Sequence, residues 1–169
     1  MEADLLIKNG FLVMPRVGIV KGALAISGGK ITGILGSPAP VKAEKEIDAE
    51  GLYVFPGVVQ PHAHLGRGDD MEDFDTETRS ALIGGVTTTL VFHRAKGDYA
   101  RDFPATTSKA AGLSHMDFSY HLQIMEDLQI DNIPSYLSRF GISSFKLNMG
   151  YKGEEAKGKD IHELNDGLM

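Results

Sequence analysis

Apolar and polar residues alternate in short runs over the first fifty positions, and the texture changes from about residue 53 onward. Residues 5–7 and 11–14 flank Asn9-Gly10, and residues 23–26 and 30–35 flank Gly28-Gly29. Period-two runs joined by Asn-Gly or Gly-Gly predict β-hairpins, because these pairs tolerate the positive φ angles of a tight turn. A loop with Pro38 and Pro40 then leads into residues 46–52. The whole reads as a small antiparallel sheet, too small to be stable alone.

From residue 53 the pattern predicts strands over 53–59, 87–92, 118–124 and 143–149, alternating with helices over 74–83, about 105–113, and 133–140. The last helix carries Asp131 or Asn132 as its N-cap, Pro134 in its first turn and Gly141 at its end. Apolar strands alternating with helices imply a parallel sheet covered by helices. A strand spacing of roughly 30 residues suits a (β/α)-barrel and also a doubly wound sheet. Asp160-Ile161-His162-Glu163 reads as a capping box opening a further helix. Four such units make half of an eight-stranded barrel and leave two open strand edges, so a fragment, or a chain completed by another, is expected.

Composition narrows the partners. Hydrophobic residues make up 42% of the 169 and charged residues 24%, which is ordinary for a globular protein. A formal charge of −6 without a basic stripe argues against nucleic acid or an anionic membrane surface. Cysteine is absent, so any metal must sit on nitrogen and oxygen ligands. No signal-peptide layout or membrane-length apolar run occurs, and a cytoplasmic location is expected.

Two elements carry chemistry. The run Val54-Phe55-Pro56-Gly57-Val58-Val59-Gln60-Pro61-His62-Ala63-His64 ends an apolar strand on two histidines one residue apart. Strand alternation puts His62 and His64 on one face, ~7 Å apart at their Cα atoms, where two imidazoles can converge on one metal ion. Some eighty residues later, Lys146 interrupts the apolar strand Ser143-Ser144-Phe145-Lys146-Leu147-Asn148-Met149. Lys146, Asn148 and Gly150 share one face, with Phe145, Leu147 and Met149 on the other. A lysine there is costly unless it is paired or reaches out to water. Desolvated, it has a lowered pKa and reacts as the free amine, which CO2 converts to an anionic carbamate ligand.

At these residues the chain resembles the amidohydrolase superfamily, specifically its cyclic-amide hydrolases: hydantoinase, dihydropyrimidinase, dihydroorotase and allantoinase. The similarity covers almost the whole length: residues 4–35, Asp48 to His64 with its Pro-Gly-x-x-x-x-His-x-His ending, Gly84-Gly85-Val86-Thr87-Thr88, and Ser144-Phe145-Lys146 through Gly153. It implies an α/β fold in which residues 1–52 are the N-terminal part of a β-sandwich domain. Residues 53–169 would then be the first four βα units of a (β/α)8 TIM-type barrel.

The resemblance further implies that His62 and His64 bind the more buried of one or two divalent ions, expected to be Zn2+. Lys146 would be the carboxylated, bridging lysine, and Tyr151 would donate a hydrogen bond to the substrate carbonyl as charge develops there. Gln60 stands where the family usually has Asp, so it would support the site without a carboxylate's field. His93, and Asn148 beside Lys146, are candidates for the pocket lining. The two further histidines and the catalytic Asp that the family places on its fifth, sixth and eighth strands are not among these residues. His93, His115, His121 and His162 lie in the wrong units to replace them.

The expected function is therefore part of a metal-dependent hydrolase of a small cyclic amide or imide, inactive on its own. The missing barrel half or a second copy would complete it, in a homo-oligomer. The competing class is a non-catalytic dihydropyrimidinase-related scaffold, which would have lost the metal ligands. The Arg-Gly-Asp of residues 67–69 reads as a solvated loop.

Overall fold

The computed structural model describes residues 2–67 and 71–147. The chain divides into two compact units, Met1–Pro56 and a second beginning at Gly57.

The first unit is a five-stranded mixed sheet rather than the antiparallel one expected, because two of its strands return parallel to the first. Strand β1 (Glu2–Met14) pairs antiparallel with β2 (Gly18–Ser27), which pairs antiparallel with β3 (Lys30–Leu35). On its other edge β1 runs parallel to β4 (Lys42–Asp48) and then to the two-residue β5 (Tyr53–Val54). The Gly28-Gly29 turn forms as expected, with both residues at positive φ. Asn9-Gly10 does not make a hairpin. It is a bulge inside one long strand, with Asn9 at φ 58° and its amide donating to Asp48 Oδ2 at 2.9 Å. The chain reverses instead at residues 15–17, where Arg16 takes φ 63°. Asn and Gly satisfy a bulge and a turn equally well, because both need only a left-handed residue. Ala3, Leu6, Ala23 and Ala25 form the buried face.

The strand expected over 53–59 is two strands. Tyr53–Val54 pairs with β1, whereas β6 (Val58–Ala63) pairs in the second unit. Pro56 offers no N–H to continue a ladder. Gly57 lies so close to Thr87 that a Cβ at this position would sit 2.0 Å from Thr87 Oγ1. The division between units therefore falls after Pro56 rather than after Leu52.

In the second unit β6, β7 (Val86–His93), β8 (Asp117–Gln123) and β9 (Phe145–Lys146) are all parallel and neighbour one another in chain order. A doubly wound sheet would reverse its strand order at a switch point, so the sequential order identifies the barrel type. Helices α1 (Asp73–Ile83), α2 (Phe103–Leu113), α3 (Asp127–Asp131) and α4 (Ile133–Phe140) connect the strands. Helix α4 starts after Asn132 and ends on Gly141 at φ 68°, a left-handed C-cap. No helix among the described residues is long and apolar enough to cross a membrane.

The main core of this unit joins Val91, Tyr120 and Leu122 of the sheet to Phe74, Phe103, Ala110 and Tyr136 of the helices. The loops above the strands are held by buried polar groups. Gln129 is fully buried; its amide donates to the carbonyls of Ala95 (2.9 Å) and Gly97 (2.8 Å), and its oxygen accepts from Met125 N–H (2.7 Å). The Tyr99 hydroxyl donates to the Gln123 carbonyl at 2.7 Å, and burial pushes its pKa up to about 12, so it stays a donor. These bonds fix the segments that follow β7 and β8, at the strand ends where barrel sites are built.

Candidate metal centre

Strand alternation separates two environments. On β6 and just beyond it, Ala63 and Leu65 pack into the helix-covered core while His62 and His64 turn to the opposite face. On β7, Val91 is buried beneath the helices and Phe92 points the other way. On β9, Phe145 packs against the covered clusters and Lys146 points to Phe92.

The uncovered face gathers these side chains on one ring. The Phe92 centroid lies 4.5 Å from that of His62 and 5.3 Å from that of His64, and Lys146 Nζ sits 4.1 Å from it. His62 Nε2 and His64 Nε2 stand 3.3 Å apart. That exceeds the ~2.7–3.2 Å of a good N–H hydrogen bond. It equals the separation of about 3.3 Å expected between two nitrogens that ligate a tetrahedral zinc at roughly 2.0–2.1 Å. Two imidazole nitrogens aimed at one point, with an amine on the same aromatic ring, are a donor set that fits a divalent metal. Among the described residues no third His, Cys, Asp or Glu joins them.

Local electrostatics favour the ligating form of His64. Partial desolvation lowers its pKa, helped by the positive charges of Arg67, Lys146, His62 and Arg94. A neutral imidazole offers a lone pair, whereas an imidazolium does not. Gln60 lies on the same segment, where its side-chain oxygen accepts the His62 backbone N–H at 3.2 Å. The loop after β6 is anchored by Asp73, whose carboxylate accepts the Gly66 N–H at 2.8 and 2.9 Å. Gly66 takes φ 64°, and a Cβ there would meet Met71 Sδ and Phe74 Cε2 at 2.9 Å, so only glycine fits.

The other candidates lie apart. His93 is on the helix-covered side of β7, with its ring 5.6–5.7 Å from those of Tyr99, Phe103 and Tyr120. It is Phe92, not His93, that β7 gives to the histidine pair. His115 bonds Asp75 at 2.6 Å on the outer surface. Asn148 and Tyr151, His162 and the 160–163 capping box, and most of the Arg-Gly-Asp fall outside the described residues. Phe92 was missed by sequence reasoning and His121 was set aside as lying in the wrong unit, although the alternation of β7 and β8 puts both on the face that carries Lys146.

Over nearly its whole length the chain is similar to known proteins. The chain is 35% identical over 172 residues to the D-hydantoinase of Geobacillus stearothermophilus, covering 97% of this chain and 35% of that protein. It is 36% identical over 160 residues to the D-hydantoinase of Ralstonia pickettii, covering 89% of this chain and 34% of that one. A D-hydantoinase crystal structure superposes with TM-score 0.82 at 34% identity, covering 96% of this chain and 36% of the other. The chain belongs to the hydantoinase–dihydropyrimidinase family of the amidohydrolase superfamily. No family model matches it. It spans about a third of the length of the curated hydantoinases it matches.

Proposed function

We propose that this chain supplies the first ligands of the active site of a metal-dependent hydrolase that opens small cyclic amides such as hydantoins and dihydropyrimidines. The observation that carries the reading is the 3.3 Å approach of His62 Nε2 and His64 Nε2 beside the Lys146 amine. His62 and His64 would hold a divalent ion, and the 3.3 Å between their Nε2 atoms fits zinc. Lys146 would supply the third protein ligand as a carbamate, formed with CO2 by making one N–C bond and releasing one proton from the nitrogen. A metal so held supplies a water acidic enough to act as hydroxide near neutral pH.

The chain's own residues then do three things. His64, its pKa lowered by desolvation, would offer its lone pair to the metal. Gln60 holds the His62 backbone through its amide oxygen, and Phe92 keeps both imidazoles and the lysine on one apolar ring. Tyr151 is assigned the donor to the substrate carbonyl by resemblance alone, and Asn148 a place in the pocket on the same basis. The complete site also needs a proton-transferring acid and further histidines that these residues do not include.

The test has two arms. Zinc binding by the 169-residue chain is expected, with loss in His62→Ala and in His64→Ala. Opening of hydantoin or dihydrouracil is expected only when the remaining strands are supplied, as in a chimera with the rest of the Geobacillus relative. A chimera that folds and holds zinc but opens neither ring would contradict the assignment.

A further inference from the structure

His121 plays no part in the reading above, yet it ties together the strands that carry the three ligands. It lies on β8, half-buried, on the face opposite the buried Tyr120 and Leu122. Its Nε2 is 3.0 Å from the Pro61 carbonyl of β6. Its Nδ1 is 2.5 Å from Ser144 Oγ, two residues before Lys146. Its ring stacks on Phe92 of β7, with centroids 4.7 Å apart and planes at 28°.

The chemistry of the partners fixes the ring. A carbonyl oxygen only accepts, so His121 Nε2 carries the proton and donates it to Pro61. Nδ1 faces the Ser144 hydroxyl, which can donate to it or accept from it, so both ring nitrogens are engaged. Position gives this bond its consequence. Strands β6 and β8 are not neighbours, so the bond crosses the uncovered face of β7 beside Phe92. Pairing of β6 with β7 skips from Gln60 to Ala63, leaving Pro61 and His62 without partners in the ladder. The segment that presents His62 is therefore held from β8 where its own neighbour does not hold it.

We propose that His121 is a positioning residue: by bridging Pro61 and Ser144 it sets the spacing between the His62/His64 pair and Lys146, and so the affinity of the site for a divalent metal. The inference rests on the metal reading above. Groups that orient ligands in this way contribute about 10–100-fold to metal affinity when their removal is measured.

His121→Phe keeps an aromatic ring on Phe92 and removes both hydrogen bonds. His121→Gln restores a donor and an acceptor of similar reach. Two readouts on the 169-residue chain decide the matter: zinc affinity by competition with a chelator, and imidazole NMR signals of the metal-free protein. His121→Phe is expected to bind zinc about 10–100-fold more weakly and to shift the His62 and His64 signals without metal, with most of both effects reversed in His121→Gln. Ser144→Ala, which removes one bond from the other side, is expected to weaken zinc in the same direction by less. Wild-type affinity in His121→Phe, or in Ser144→Ala if the former does not fold, would overturn the proposal. Should wild type and His62→Ala hold zinc equally weakly, the metal reading fails separately. His121 is then judged on the metal-free signals, where a shift supports positioning and unchanged His62 and His64 overturn it.

Discussion

The two faces of the four-stranded sheet are built from the same strands and do opposite things. Neighbouring residues of β7 show it: Val91 is 0% exposed beneath the helices, while Phe92 carries two imidazoles and an amine on the other side. Histidine appears on both faces with different surroundings. His93 is enclosed by aromatic rings, whereas His121 is held by a carbonyl and a hydroxyl. Alternation along each strand thus separates the residues of the covered core from those that gather on the open face. Substitutions on the two faces should therefore move different observables.

The largest effect is expected on the covered face. Phe74, 1% exposed, packs edge-on against Phe118 at 5.2 Å. Phe74→Ala should cost about 3–5 kcal/mol in urea unfolding, because the cavity cannot be refilled by the sheet. Gln129→Leu keeps the volume but strands two carbonyls and one N–H, and about 1–3 kcal/mol per buried unpartnered group is expected. Loss of cooperativity without loss of stability in either variant would break the distinction between the faces.

A pH experiment sharpens it. Desolvation lowers the pKa of His93 below the ordinary imidazole value. The folded state thus keeps His93 neutral where the unfolded chain protonates, so its contribution is present above the unfolded pKa of about 6.5 and is lost as pH falls below it. His93→Phe should flatten the decline in stability between roughly pH 7 and 5, followed by urea midpoints across that range. An unchanged slope would place the pH sensitivity elsewhere.

Two tyrosines on the covered face should respond oppositely. The Tyr136 hydroxyl donates to Asp98 at 3.0 Å and accepts the Tyr99 N–H at 3.3 Å, so Tyr136→Phe is expected to destabilise by about 1–3 kcal/mol. The Tyr120 hydroxyl is buried beside Thr107 without a well-formed hydrogen bond among the described residues. Tyr120→Phe should therefore be neutral or stabilising by up to ~1 kcal/mol. The smallest stability effect is expected on the uncovered face, where His64→Ala should stay within about 0.5 kcal/mol in the metal-free chain.

Much of this organisation was legible before any coordinates. Helix 133–140 was readable because Pro134 and Gly141 punctuate it, and the Gly28-Gly29 turn because two glycines tolerate what the turn demands. The Asn9-Gly10 signal misled, since the same pair also suits a bulge, and nothing local says whether the chain reverses. The strand over 53–59 read as continuous because Pro56 and Gly57 sit in an apolar run. Only the close approach to Thr87 shows where one unit ends. At the site, His62, His64 and Lys146 could be paired through a resemblance. Phe92 and His121 could not, because their roles come from strands brought side by side by the sheet.

Everything proposed for the uncovered face depends on a divalent metal bound by His62 and His64. X-ray absorption on the zinc-loaded chain tests it most directly. A shell with two imidazole nitrogens at roughly 2.0–2.1 Å is expected, reduced to one in His64→Ala. Zinc surrounded by oxygen alone, or an unchanged spectrum in His64→Ala, would contradict it.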